Sequence, residues 1–243
     1  GVPVNNIKST ADVSLKSILR RSDVWRGDSK RFATQHRLDT GYSALNKALL
    51  VKGWPLGDML EVCQPVSYGH SEWLLLAPAL RKLHGGYIVL LNPPAIPFCQ
   101  GILQMGLDLN RIVVVQSAGR GDFLKSFVEL ARAKVCRALL AWSPNVALSY
   151  TDLRKCLLAC STTSLTVLFR HRHALQQSSP AGLRLACEVN AQGLAIDIRK
   201  QKGLLAKRSQ VINLPLPRFT DSTKASYWQP SDALPKPFGG NLN

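Results

Sequence analysis

Apolar and polar positions follow two different rhythms along this chain. Between residues 38 and about 170, short continuous apolar runs recur: "MLEVC" (59–63), "YIVLLN" (87–92), "RIVVVQ" (111–116), "RALLAW" (137–142) and "LTVLFR" (165–170). Continuous apolarity over so few residues predicts strands buried on both faces, as in a parallel sheet. Stretches at helical spacing separate them. Trp73 to Leu83 reads as a helix ended by His84-Gly85-Gly86, and "IPFCQGILQMGL" as another. "GDFLKSFVELARAK" places Phe123, Leu124, Phe127, Val128, Leu130 and Ala131 on one side of a third. "LDTGYSALNKAL" predicts a turn and a helix, with Thr40 a candidate N-cap. This is βαβ repeated. The last third changes rhythm: "GLRLACEVNAQGLAIDIRKQKG" alternates apolar and polar residues about "NAQG", predicting a hairpin, and "SQVINLPL" suggests a further strand. The expected fold is α/β: a mostly parallel central sheet flanked by helices, with an antiparallel C-terminal hairpin.

The same pattern divides the chain. Residues 1–37 read as a basic arm with a short helix from Ser14, in which Leu15, Ile18 and Leu19 recur at helical spacing. Residues 38–217 form the core. Residues 218–243, rich in Pro, Ser, Asp and Lys with isolated aromatics, read as a flexible tail. Val24 and Trp25 are a bulky pair among charges, suited either to folding back on the core or to docking on another protein. No apolar run approaches the ~18 residues of a membrane span, and the first residues lack the pattern of a signal peptide. A cytoplasmic protein with no membrane contact is expected.

Charge changes the picture more than composition does. Thirty-one Lys and Arg face 15 Asp and Glu, a net charge of +16. Residues 15–37 hold seven bases against two acids, and residues 170–208 hold eight against two. Clustering of this kind suggests a nucleic acid or an acidic protein as partner, against the alternative of a scattered basic surface. The six cysteines include no C-x-x-C pair, so buried reduced thiols are expected rather than a metal site.

Candidate chemistry centres on "CQPVSYGHSEW", residues 63–73, which lies between a strand and a helix where a phosphate-binding loop belongs. The pattern G-x-x-x-x-G-K-[ST] is matched only by Gly69 and Ser71. Gln64 stands for the first glycine and His70 for the lysine. Imidazole is shorter than lysine and largely neutral at pH 7, and Glu72 would repel phosphate.

The run Thr40-Gly41, Leu45, Gly53 and Pro55-Leu56-Gly57 leading into that loop, with "MGLDLNRIVVVQ" (105–116), resembles the core of RecA-type recombinases over residues 38–214. A narrower likeness covers most of the chain. "LRRSDVWRGD", "TGYSALNKAL", "GWPLGDMLEV", "LLNPPAIPF" and "FRHRHALQQSSPAGLRL" together resemble ImuA, the RecA-related accessory family of SOS mutagenesis, sometimes called SulA-like. The resemblance implies a RecA-like core. It also puts Pro94 where RecA proteins carry the acid that activates water, and Trp142 where the Walker B aspartate should hold Mg²⁺. No ATPase activity and no cofactor are therefore expected, because each lost group would act through charge set against the transition state. Trp142 and the Asn92-Pro93-Pro94 turn would fill the former pocket, or the crevice would take a different ligand.

The implied partners are an ImuB-type inactive Y-family polymerase relative, an error-prone replicative-type DNA polymerase, RecA and single-stranded DNA. RecA proteins bind DNA through the region matched by residues 169–184, which makes Arg170, Arg172 and Arg184 candidate DNA contacts, with Arg199, Lys200 and Lys202 beside them. The alternative for these charges is a solvated sheet edge. The arm matches in place the segment by which RecA docks its neighbour, which makes Leu19, Val24 and Trp25 candidate protein contacts. Two rival functions remain open at this point: a SulA-like inhibitor of cell division acting on FtsZ, and a RecA-type ATPase with a variant loop.

Overall fold

Apolar runs that need cover on both faces become the centre of one sheet. The computed structural model describes residues 37–65, 71–95, 99–201, 204–206, 208 and 211–216. The proposed arm up to residue 36 and the tail from 218 lie outside the described residues. In chain order the elements are β1 (Arg37–Leu38), α1 (Ser43–Ala48), β2 (Trp54–Pro55), β3 (Met59–Gln64), α2 (Ser71–Leu80), β4 (Tyr87–Leu91), α3 (Cys99–Gln104) and β5 (Ile112–Val115). There follow α4 (Gly119–Arg132), β6 (Cys136–Trp142), α5 (Tyr150–Ala159), β7 (Leu165–His171), β8 (Leu183–Asn190), β9 (Gly193–Gln201), β10 (Leu204–Leu205) and β11 (Val211–Leu214).

The main sheet runs β10-β9-β8-β3-β7-β6-β4-β5, with β11 also paired to β9. Every pair from β8 across to β5 is parallel. The pairs β8–β9, β9–β10 and β9–β11 are antiparallel, as the change of rhythm predicted. Val62 lies level with Phe169 on β7 and Leu185 on β8, so β3 sits centrally. One face buries Leu60, Val62, Leu140 and Phe169 with Leu45, Leu75, Leu76 and Ile102 from α1, α2 and α3. The other buries Met59, Val89, Leu139 and Leu168 with Phe123, Phe127 and Leu130 of α4 and Leu153 of α5. Each such side chain contributes roughly 1.5–3 kcal/mol through burial. No helix among the described residues is long and apolar enough to cross a membrane.

Two details depart from the sequence reading. Thr40 is not the N-cap of α1; Tyr42 is. The Thr40 hydroxyl instead accepts from the Tyr42 N–H at 3.1 Å and lies 2.7 Å from Asn46 Oδ1, fixing the turn before the helix. Helix α2 ends at Leu80, short of Leu83, because residues 82 and 83 close tighter turns onto Ala79 and Leu80. Its interior Pro78 has no N–H for the carbonyl of Leu74, one turn back. The Tyr42 hydroxyl donates to that carbonyl instead. Gly41, at φ +83°, passes so close to Pro78 that an added Cβ would stand 2.4 Å from the proline Cβ. The Gly-Tyr pair before α1 thus serves the packing of α1 against α2.

Candidate functional site

In an open sheet with parallel strands, ligands bind beyond the carboxyl ends, where connections leave in opposite directions. That point here is β3: its connection through α2 passes over to β4 on one side, while β7 connects to β8 on the other. A cavity of about 890 Å³ lies at these carboxyl ends. Its walls are Gln64 from β3, Asn92 and Pro94 after β4, Ser117 after β5, Trp142 and the 143–148 segment after β6, and Phe169 to His171 at the end of β7.

Side chains flanking the loop between β3 and α2 bind one another. The Ser71 hydroxyl donates to Gln64 Oε1 at 2.8 Å, and Gln64 Nε2 donates to Glu72 Oε1 at 2.7 Å. The indole N–H of Trp142 donates to the same Glu72 oxygen at 3.2 Å. All four residues are buried. Burial pushes the Glu72 carboxyl above its ordinary range, against the opposing effect of the donors from Gln64, Trp142 and Ser71. Trp142 also stacks on Phe169 with ring centroids 4.8 Å apart. The hydroxyl that would meet a metal in a working loop is therefore committed to Gln64. Gly69 and His70 lie outside the described residues.

Trp142 is buried as expected, but it does not fill the crevice together with the Asn92–Pro94 turn. Pro94 is exposed and lines the open cavity. Asn92, also on the wall, adopts a left-handed φ of 57°, which asparagine tolerates better than most residues. Its N–H donates to Val115 O at 2.8 Å and its side-chain oxygen accepts from Ser117 N–H at 2.9 Å. Both bonds pull the turn toward the end of β5.

Arg170 and Arg184 do not form a DNA-facing pair. Both are buried, and both guanidiniums face the carboxylate of Glu61, whose side chain is fully buried in β3. Arg170 Nη1 donates to Glu61 Oε1 at 3.1 Å; Arg184 donates to it through Nη2 at 2.8 Å and Nε at 3.2 Å. The other Glu61 oxygen accepts from the Ser179 hydroxyl. The remaining donors fasten the segment between β7 and β8. Arg184 reaches Ala174 O at 2.7 Å and Gln177 O at 2.9 Å, Arg170 reaches Gln177 Oε1 at 3.2 Å, and Lys200 Nζ reaches Ser179 O at 2.7 Å. A lone acid in an otherwise apolar strand requires such partners, since a buried charge is tolerated only when paired and hydrogen-bonded. That rule, applied to Glu61 in "MLEVC", was the signal available in the sequence. Gln177 and Ser179 gave none.

The other basic candidates separate by exposure. Arg172 is exposed in a short 3-10 helix (Arg172–Gln176), while Arg199 is half-exposed beside Asp197 at 3.4 Å. Burial lowers the proton affinity of Lys200, and the charge of Arg184 lowers it further. Lys202, Leu19, Val24 and Trp25 lie outside the described residues. Four of the cysteines are buried and all six are free, and burial pushes the thiols of Cys63, Cys136, Cys156 and Cys187 up to about 12. Among the described residues no cluster of three or more His, Cys, Asp or Glu is placed to hold a metal.

No family model and no curated protein sequence matches this chain. The geometry comprises an open cavity at the switch point, a loop whose flanking side chains bind one another while Glu72 Oε2 stays buried without a hydrogen-bond partner among the described residues, and a basic segment bound down by its own arginines. The basic side chains on the cavity wall are Arg170, His171 and His173.

Proposed function

We propose that this chain is a catalytically inactive, RecA-like adaptor in SOS-induced error-prone translesion synthesis, of the ImuA type. Its principal partner in this reading is an ImuB-type inactive Y-family polymerase. The observation that carries the inactive part is the hydrogen-bonded chain Ser71–Gln64–Glu72–Trp142. A hydroxyl bound to a glutamine, a buried acid and an indole stand where phosphate chemistry needs donors and a metal carboxylate. The order of strand, loop and helix at the centre of a parallel sheet supports the RecA-like part. Further contacts with RecA, a replicative-type polymerase and single-stranded DNA belong to the same reading. DNA contact in this reading falls to the exposed Arg172 and half-exposed Arg199, since Arg170 and Arg184 are buried. The protein acts in the cytoplasm.

The test has two arms. Calorimetry with Mg-ATP and a phosphate-release assay are expected to show neither binding nor turnover. Turnover abolished by His70→Ala would replace this reading with a variant ATPase. Co-purification with an ImuB-type partner is expected; its absence, with capture of FtsZ instead, would favour a cell-division inhibitor.

A further inference from the structure

We infer that Glu72 is a proton-operated catch behind the crevice: as a neutral acid it holds Gln64 and Trp142 in the wall, and once ionised it releases them. The inference goes beyond the adaptor reading and stands whichever partner the chain has.

The bonds around this carboxyl are those of an acid and not of a carboxylate. Glu72 lies in the first turn of α2 and is 3% exposed. Both side-chain donors go to one oxygen: Gln64 Nε2 at 2.7 Å and Trp142 Nε1 at 3.2 Å reach Oε1. The Gln64 amide is fixed in this sense because its own oxygen accepts from the Ser71 hydroxyl at 2.8 Å. Oε2 is buried with no hydrogen-bond partner among the described residues. A protonated carboxyl has one oxygen that only accepts and one hydroxyl. A carboxylate here would leave charge on an oxygen with no donor, which a buried site tolerates poorly.

No cation among the described residues pairs with Glu72. The elements packed around it offer uncharged groups: Gln64 from β3, Trp142 from β6 and the Cys187 thiol of β8, which burial and then Glu72 push up to about 12. Burial keeps the Tyr42 phenol before α1 neutral as well. Glu61 and its two arginines lie on the other face of β3, with Met59, because successive residues of a strand alternate. His70, two residues earlier, lies outside the described residues. The two side chains that Glu72 holds are both cavity wall, and Trp142 is stacked there on Phe169. Ionisation calls for water or a donor at Oε2, and the open cavity that these side chains line is the route for water. Protonation of Glu72 and the shape of the crevice are thus coupled, each biasing the other. Burial raises the carboxyl above 4.5, so the acid form persists beyond that pH and the catch opens as pH rises through the raised value.

The test is an NMR titration of the isotope-labelled full chain from pH 4.5 to about 9, the upper end documented for a buried glutamate. The indole resonance of Trp142 is identified by its absence from Trp142→Phe. Trp54, fully buried in the same core, is the reference. Acrylamide quenching, taken as the difference between the wild-type and Trp142→Phe chains, reads the exposure of Trp142 at each pH, and far-UV circular dichroism checks that the chain stays folded. Two further chains are titrated: Glu72→Gln, an isostere of the neutral acid, and His70→Gln, which removes the neighbouring imidazole.

The expected result is a single titration step in the Trp142 resonance, with Trp54 unmoved and quenching of Trp142 rising through the same step. Glu72→Gln should keep the low-pH resonance and low quenching throughout, and His70→Gln should titrate as the wild type does. A Trp142 signal constant over the range, a step that survives Glu72→Gln, or a step lost in His70→Gln overturns the inference. So does a step without a rise in quenching, since Glu72 would then titrate without releasing the wall. An unfolded Glu72→Gln chain overturns it too, because the site should accept an isostere of the neutral acid. Capture of an ImuB-type partner tests the adaptor reading separately, and none of these outcomes bears on it.

Discussion

Replacing Glu61 by alanine should be among the most damaging single changes in this protein. The carboxylate sits in the central strand with no exposure, and the side chains of Arg170 and Arg184 are only 6% exposed. It accepts three guanidinium hydrogen bonds and one from Ser179. Removing it leaves two buried cations facing each other without a counter-charge. Breaking one buried pair costs about 3–5 kcal/mol, and here one carboxylate serves two partners, so the upper end applies. Urea unfolding followed by far-UV circular dichroism reads this as a midpoint lowered by roughly 1–2 M, with a slope typical of single domains. Glu61→Gln keeps an acceptor oxygen but no charge and should fall between alanine and wild type. Arg184→Ala should destabilise too, because it frees the carbonyls of Ala174 and Gln177. A loss below about 1 kcal/mol for Glu61→Ala, the level of an exposed pair, would refute the reasoning. So would an Arg184→Ala chain of normal stability that binds single-stranded DNA less well, since the arginine would then belong to a surface.

The remaining expectations concern two neighbouring features. Tyr42→Phe removes the donor to the Leu74 carbonyl that Pro78 leaves unpaired, and should cost about 1–3 kcal/mol in the same unfolding experiment; no loss would mean that water takes the carbonyl. Burial raises the folded-state affinity of Glu72 for its proton above the ordinary value of 4.5. The native state therefore holds more protons than the unfolded chain between 4.5 and that raised value, and stability falls as pH rises through this window. Thermal unfolding from pH 4 upward should show the decline, and Glu72→Gln should flatten it; identical pH profiles for the two chains would show that Glu72 titrates normally.

The alternation of apolar runs with helical stretches was enough to read the parallel sheet, and the change of period after residue 180 was enough to read the hairpin. Both follow from burial, which acts on every residue and so leaves a pattern. Helix α2 ends three residues before its apolar pattern does, because tight turns follow Pro78. Thr40 looks like a cap in any list of residue types; only the position of Asn46, four residues beyond Tyr42, shows that its hydroxyl fastens a turn. The site was less legible. That Ser71, Gln64, Glu72 and Trp142 would meet depends on bringing β3 within two strands of β6, a fact of topology and not of spacing.

The arginines carry the more general lesson. A count of +16 treats all cations as surface charge. Arg111 spends its three donor nitrogens on the carbonyls of Leu83, Gly85 and Gly86, at 2.8 to 2.9 Å, closing the turn into β4. Arg184 does the same for the segment before β8 through the carbonyls of Ala174 and Gln177. In each case the planar donor fork satisfies carbonyls that an irregular segment leaves without partners. Cations used in this way neutralise no phosphate and so displace none of the counterions condensed on a polyanion. The salt dependence of any nucleic-acid binding by this chain is therefore set by exposed bases such as Arg172, and substitutions at Arg170 or Arg184 should change its stability without changing that slope.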